Sequence, residues 1–397
     1  MSQMNRRRAL QLLAGIGAVG LVGGCGSDDE DSTTPTGAPI KIGLIAPTTG
    51  ALKPIGTEIV NGFQLYLDRN AGQLGGRPVE LVVADEGENA RSGQAAVDNL
   101  LKQGVLALTG VVNPAVMIAI RDAVEEARVP LIGSNASPAS LQSVVYIWRT
   151  SYVLNEPGEA MGAYLGQELP ASARVAILAP ENAGSRDVIA GFRNGFGPDD
   201  QRIAGEVVFT DDTAQPGNTA YVADIERALA RNPTAVFCFY SGQAAVQFVK
   251  QLRRTGYQGP IYAPGFLTEG TVLGELREQE ATGISTALNY SADLNNTANR
   301  QFASDYRKSF DDSPTTYAMA SYDAAQVLDA AIRLAGDEPS PQEVNLALGR
   351  IGQIDSPRGA WQFNQSRTPQ QRWYLRTVQR DGQLLSNVLI NELVTLG

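Results

Sequence analysis

Two lobes of α/β architecture, each a doubly wound Rossmann-like sheet of mainly parallel strands, are the fold this sequence predicts. Three observations carry the prediction. Short β-branched runs alternate with stretches of helical spacing through most of the chain. The runs have the character of buried strands, as a sheet covered by helices on both faces requires. About 370 residues follow the leader, more than one ordinary domain holds.

Taken in order, Ile40–Ala46 (IKIGLIA) reads as the first buried strand, and residues 57–70 carry the helical spacing after it. Residues 79–84 (VELVVA) with the helix at 92–103 repeat the unit, and so do 107–112 with 116–126. The strand at 129–132 completes this set. A second set opens at 174–179 (RVAILA) and continues with helices at 185–196 and 221–230, a strand at 235–240, a helix at 243–255 and a strand at 260–263. This succession is the signature of parallel β-α-β units, here enough for two sheets.

Ahead of the first strand the chain carries a different signal. Arg6, Arg7 and Arg8 form a charged n-region, residues 9–22 an apolar h-region too short to span a bilayer comfortably, and Gly23 and Gly24 precede Cys25. Residues 1–24 thus look like a bacterial lipoprotein signal with a lipobox. Cys25 would be the lipidated first residue of the mature chain, and residues 25–39 a polar tether. The competing reading is an ordinary secretory signal with Cys25 present by chance. Both place the protein outside the cytoplasm, and the paired arginines also permit export by the twin-arginine route. Gly15-x-Gly17-x-x-Gly20 matches a dinucleotide fingerprint, but it follows no strand and lies in the leader.

The chain has no histidine, which removes Ser-His-Asp and Cys-His catalysis, H-E-x-x-H zinc chemistry and most transition-metal sites. Neither a G-x-S-x-G elbow nor a G-x-x-x-x-G-K phosphate loop occurs. Asp211 and Asp212 are the most visible acidic pair and read as turn residues after a strand, with carboxylate catalysis as the alternative. The formal charge of −10 becomes −13 once the three leader arginines are removed, since no acid leaves with them. Such a chain is a poor nucleic-acid binder. Lipidation of Cys25 leaves Cys238 alone in an apolar run, a buried small hydrophobe with no disulfide partner. No metal, cofactor or enzymatic activity is expected.

The opening IKIGLIAPTTGALKPIGTEIVNGFQLYLDRNAG, followed by GGRPVELVVAD, resembles the start of the leucine-binding family of type I periplasmic binding proteins. The similarity continues through VPLIGSNASP, WRTSYVLNEPG, RVAILAPENAG, VKQLRRTGYQGPIYAPGF, NRQFASDYRKSF and YAMASYDAAQVLDAAIRLAG, and so covers nearly the whole mature chain. It implies two lobes joined by three hinge crossovers, with a ligand cleft that closes by hinge motion. The crossovers are expected near Tyr152, 284–289 and 359–364. Lobe one is then 40–151 plus 290–358, and lobe two 152–289 plus 359–397. The resemblance also implies a monomeric substrate-binding lipoprotein of an ABC importer, which hands a small molecule to permease subunits and is held to the membrane by its lipid alone.

In open parallel sheets a ligand sits beyond the carboxyl ends of the strands, where loops enter helix N-termini and free N–H groups can hold an anion. That rule and the resemblance together select loops 48–56, 110–115, 133–138 and 150–155 in lobe one, and 180–185, 240–243 and 263–268 in lobe two. The candidate ligand-binding residues are Thr49, Lys53, Ile55, Asn113, Ser134, Asn135, Ser137, Tyr152, Asn182, Gly184, Tyr240, Gln243 and Phe266. Each Ser, Thr or Asn among them reads equally well as a helix cap.

Several positions depart from what the resemblance implies. Pro114 and Ala115, after Asn113, stand where the family tends to place a serine on the ligand carboxylate, and Ser137 where it has a threonine. Ile55 replaces an aromatic residue, and the usual tyrosine around Gly184 is missing. Amino-acid binders of the family neutralise the α-ammonium with a lobe-two carboxylate, because an unpaired buried cation is costly. Here that loop is Ser241-Gly242-Gln243-Ala244, with no acid. A small hydrophobic carboxylate without an amine, aromatic or aliphatic, therefore fits better than a zwitterion. A branched-chain-type amino acid, an amide or peptide paired with Gln243 and Asn113, and a ligand sensor or envelope regulator on the same fold are the alternatives. Lys53 in the first cleft loop is either solvated or reaches into the cleft as partner for the carboxylate.

Overall fold

The computed structural model describes residues 38–142, 144–211 and 221–397. The leader, Cys25, the tether as far as residue 37 and Asp212 lie outside the described residues. The strands β1 (Ile40–Ala46), β2 (Gln73–Leu74), β3 (Arg77–Asp85), β4 (Ala107–Gly110), β5 (Leu131–Gly133) and β6 (Ile147–Arg149) form the first sheet, in the order β2-β3-β1-β4-β5-β6. Only β2 runs antiparallel to its neighbour. β1, at the centre, is buried at every position except the half-buried Lys41, as a strand with helices on both faces must be. Three helices connect these strands: α1 (Lys53–Arg69), α2 (Ala90–Lys102) and α3 (Pro114–Ala127). α1 begins ahead of the predicted residue 57 because Pro54 sits in its first turn, where a missing N–H costs nothing.

The second sheet contains β7 (Val175–Pro180), β8 (Val208–Thr210), β9 (Ala235–Cys238), β10 (Ile261–Pro264), β11 (Ile284–Leu288), β12 (Gln362–Phe363), β13 (Pro369–Asp381) and β14 (Leu384–Leu396). Its order is β12-β13-β11-β10-β9-β7-β8, with β14 on β13. From β8 to β11 the pairing is parallel; β13 and β14 run as an antiparallel hairpin on the β11 side. The helices α4 (Glu156–Glu168), α5 (Ala183–Phe196), α6 (Val222–Leu229), α7 (Gly242–Arg254) and the short α8 (Val272–Glu275) and α9 (Glu278–Ala281) belong to this half. The chain then returns with α10 (Thr297–Phe310), α11 (Thr316–Ala335) and α12 (Pro341–Leu348), and α11 lies along α1. Among the described residues no helix is long and apolar enough to cross a membrane.

α4 and α5 pack with their backbones almost in contact. A Cβ on Gly158 or Gly162 would fall 2.0 or 2.3 Å from the Val188 or Phe192 carbonyl, and one on Gly191 or Gly195 would fall 1.9 or 2.2 Å from the Asn155 or Glu159 carbonyl. Only glycine permits this approach. It fixes the start of α5 against the segment that enters from β6.

The chain passes between the halves after β6, after β11 and after α12, and one buried network ties these passages together. The Ser151 carbonyl accepts from Asn289 Nδ2 (3.0 Å), Arg358 Nη1 (3.0 Å) and Gln371 Nε2 (2.9 Å). Arg358 Nη2 donates to the Thr150 carbonyl at 2.6 Å and pairs with Asp323 at 2.9 Å. Asp323 and Arg358 are buried at 0% and 3% exposure, so each charge depends on the other.

Candidate ligand-binding site

A cavity of about 490 Å³ lies between the two halves, at the carboxyl ends of the parallel strands. The first half contributes Thr49, Leu52 and Ile55 before and within α1, Gly87 and Glu88 after β3, Val112 to Ala115 at the start of α3, and Asn135, Ala136 and Tyr317. The second contributes Asn182 to Gly184 at the start of α5, Ser241, Gln243 and Ala244 at the start of α7, and Phe239 and Phe266. Tyr152 and Leu154, on the passage after β6, complete the wall. The position follows from the topology: every parallel strand delivers its loop and the next helix N-terminus to this edge.

Local chemistry holds the loops in place. Asp85 accepts from the Thr49 hydroxyl (2.6 Å) and the Thr48 N–H (2.8 Å), bonds that hold its carboxyl down at about 2. Glu86 is fully buried and accepts the N–H groups of Val112 (2.8 Å) and Asn113 (2.7 Å). Burial nonetheless pushes its carboxyl up to about 7. The entry to α3 therefore already has an acceptor, because Asn113 Oδ1 takes the Ala115 N–H as well (2.9 Å). Asn182 caps α5 through the Ser185 N–H (2.8 Å), whereas Ser241 makes no side-chain cap bond to α7. Asn113 and Asn182 are thus caps and cavity residues at once.

Aromatic side chains form the far wall. Phe266 lies 5.2 Å from Tyr152, 6.1 Å from Phe239 and 6.2 Å from Tyr317, between ring centroids. The Tyr152 hydroxyl donates to Asn135 Oδ1 (3.3 Å), while Asn135 Nδ2 donates to the Val112 carbonyl (3.1 Å). Gln243 Nε2 donates to Glu275. The lining has no cation, and its one acid is the exposed Glu88. Among the described residues no group of side chains is arranged to hold a metal.

Thr49, Ile55, Asn113, Asn135, Tyr152, Asn182, Gly184, Gln243 and Phe266 are brought together as the sequence suggests. Four candidates fall outside the lining, and these placements need correction. Lys53 is exposed at the first position of α1, off the face that buries Ile55, Ile59 and Phe63. Tyr240 is buried inside the second half, stacked 4.1 Å from Phe248 with its hydroxyl 3.0 Å from Thr210. Its neighbour Phe239 lines the cavity instead, because consecutive residues leaving a strand point to opposite sides. Ser134 and Ser137 are buried next to Asn135 and Ala136, and their hydroxyls have no partner among the described residues. Tyr317, Phe239 and Glu88 were not anticipated. Tyr317 is on a helix that returns from the other half, so no strand pattern pointed to it; it does lie inside the quoted motif YAMASYDAAQ.

Asp211 precedes the undescribed segment, and Cys238 is a free, fully buried thiol that burial pushes far up.

Comparison with known proteins agrees with this architecture. A family model described as periplasmic binding protein matches residues 39–383. The Leu/Ile/Val-binding protein homolog 6 of Brucella melitensis is 26% identical over 361 residues, covering 85% of this chain and 87% of that protein. A solute-binding protein of an ABC transporter from R. palustris, solved in complex with benzoate, superposes with a TM-score of 0.80 at 26% identity, over 90% of this chain and 97% of that one. The isoleucine complex of a branched-chain amino acid transporter substrate-binding protein from Streptococcus pneumoniae shares the fold, with a TM-score of 0.75 at 21% identity over 89% and 99% of the two chains. With two α/β sheets, a cavity between them and a family match over most of its length, the chain belongs to the periplasmic binding protein family, solute receptors of ABC transporters and not enzymes.

Proposed function

We propose that the protein is the extracytoplasmic receptor of an ABC importer for a small aromatic or aliphatic carboxylate without an α-ammonium. One observation carries this reading: the cavity pairs a wall of Tyr152, Phe239, Phe266 and Tyr317 with a lobe-two rim, Ser241 to Ala244, that presents the uncapped start of α7 and no carboxylate. Aromatic rings supply apolar contact, and free N–H groups at a helix start favour an anion. The likeness to the benzoate-bound protein supports the same choice.

A second reading, a branched-chain amino acid, is favoured by Glu88, a carboxylate in the lining on the lobe-one side that could pair with an ammonium. Calorimetry with benzoate, isovalerate and leucine separates the two. Binding of the plain acids with leucine silent supports the first; leucine binding that Glu88→Gln abolishes supports the second.

The proposal includes the working arrangement of the molecule. Lobe one is 40–151 plus 290–358 and lobe two is 152–289 plus 359–397. The cleft closes about the three passages, and the protein works as a monomer with permease subunits as partners. A lipid on Cys25 is its membrane anchor. Cys25→Ser should release a folded protein from membranes, and a variant that still partitions into detergent would refute the anchor.

A further inference from the structure

Gln243 stands in the cavity wall on the first turn of α7, half-buried. Its Nε2 donates to Glu275 Oε1 on α8, an exposed residue outside the lining. An ionised carboxylate only accepts, so the amide has to turn its NH2 group toward Glu275. That settles which end is left for a ligand. It is the carbonyl oxygen Oε1, to which no group donates among the described residues. The carboxylate on the far side of the amide polarises it and makes Oε1 a stronger acceptor.

The same rim has a place for an acid group. Ser241 makes no cap bond to the first N–H groups of α7. Gly242, with φ +52°, has open space in front of it: a Cβ there would meet nothing within 4 Å. Glu88, the one acid of the lining, lies on the lobe-one side and disfavours an anion there. A carboxylate at the start of α7 is then next to Gln243 Oε1, because Gln243 follows Gly242 directly. Two acceptors side by side repel unless a hydrogen lies between them. A hydroxyl on the ligand carbon that bears the carboxyl supplies that hydrogen.

We propose that the cavity selects 2-hydroxy acids, with the carboxylate at the start of α7, the 2-hydroxyl donating to Gln243 Oε1 and the apolar remainder against Phe239 and Phe266. Glu275 is a positioning residue, which keeps the amide oxygen available. The inference rests on the reading of the cavity as a site for an acid without an α-ammonium, and adds the hydroxyl to it. An ammonium suits the same acceptor less well, because a neutral carbonyl oxygen takes one of its hydrogens and leaves its charge unbalanced.

Two matched pairs test the proposal by calorimetry at pH 7: isovalerate against 2-hydroxyisovalerate, and phenylacetate against mandelate, each hydroxy acid taken as its tighter-binding enantiomer. In each pair that binds, the wild type should hold the hydroxy acid about three- to tenfold more tightly, the worth of one hydrogen bond. Gln243→Met keeps the length of the side chain without the acceptor and should bring that ratio to about one. Glu275→Gln can donate as well as accept, which frees the Gln243 amide to turn, and the ratio should fall here too. A merely structural role for Glu275 would shift both acids of a pair together and leave the ratio at its wild-type value, which would overturn the positioning role. A wild-type ratio near one, with both acids bound, would overturn the inference and leave the acid reading standing. A preference that persists in Gln243→Met would overturn the assignment to Gln243. If none of the four acids binds, the acid reading itself falls, and this inference with it.

Discussion

At the passages between the lobes a single carbonyl oxygen, that of Ser151, gathers three donors from Asn289, Arg358 and Gln371. Across the cleft the lobes instead touch through the aromatic rings around Phe266 and through the half-buried Asp187 of lobe two, which accepts the Ala139 N–H (3.1 Å). The first contact is buried, directional and costly to leave half-made. The second has no such polar hub: it is apolar ring contact and one half-exposed carboxylate. One region therefore fixes the joint, and the other is where the proposed opening would part the lobes.

Substitutions can break or sharpen that contrast. The largest effect is expected from Arg358→Met, which leaves Asp323 buried without its partner and should cost about 3–5 kcal/mol in denaturant unfolding. Phe266→Ala removes the ring shared by Tyr152, Phe239 and Tyr317; at a wall that borders a cavity it should cost about 2–3 kcal/mol of stability and, unlike the hinge variant, lower ligand affinity in calorimetry more than tenfold. Gln243→Glu restores an acid to the lobe-two rim. It removes the hydrogen bond from Gln243 to Glu275 and sets two carboxylates side by side, so it should cost about 0.5–1.5 kcal/mol in unfolding. It should also weaken benzoate and strengthen leucine, each by about ten- to a hundredfold, the worth of a charge-assisted hydrogen bond. The smallest effect belongs to Lys53→Met, which should change benzoate affinity by less than about 0.5 kcal/mol, because an exposed residue outside the lining contributes little.

Most of the fold could be read from runs such as IKIGLIA and RVAILA, where burial on both faces leaves a continuous apolar signature. β14 could not, because only part of each face is covered and its residues alternate irregularly. Its turn did carry a signal, since Asp381 pairs with Leu384 across Gly382 and Gln383, a two-residue hairpin loop with φ +61° at the glycine. Within the site, residues on loops that follow strands, such as Asn113 and Asn182, were legible from topology. The choice between Phe239 and Tyr240 was not, because it turns on one step of strand alternation. Of the two readings of Lys53, solvated or reaching into the cleft, its exposed position matches the first: Pro54 starts α1 early, and the lysine becomes part of an exposed helix start.

The shared acceptor at Ser151 also bears on how the chain folds. Its donors lie 138, 207 and 220 residues further along the sequence. Contacts of such long sequence separation form late, after the local β-α-β units have assembled. For a chain that emerges amino end first, strands β1 to β6 can pair while the residues that complete the joint have yet to appear. The first passage stays unfinished until Gln371 arrives, and a chain cut short before that point would retain a sheet but no settled relation between its halves.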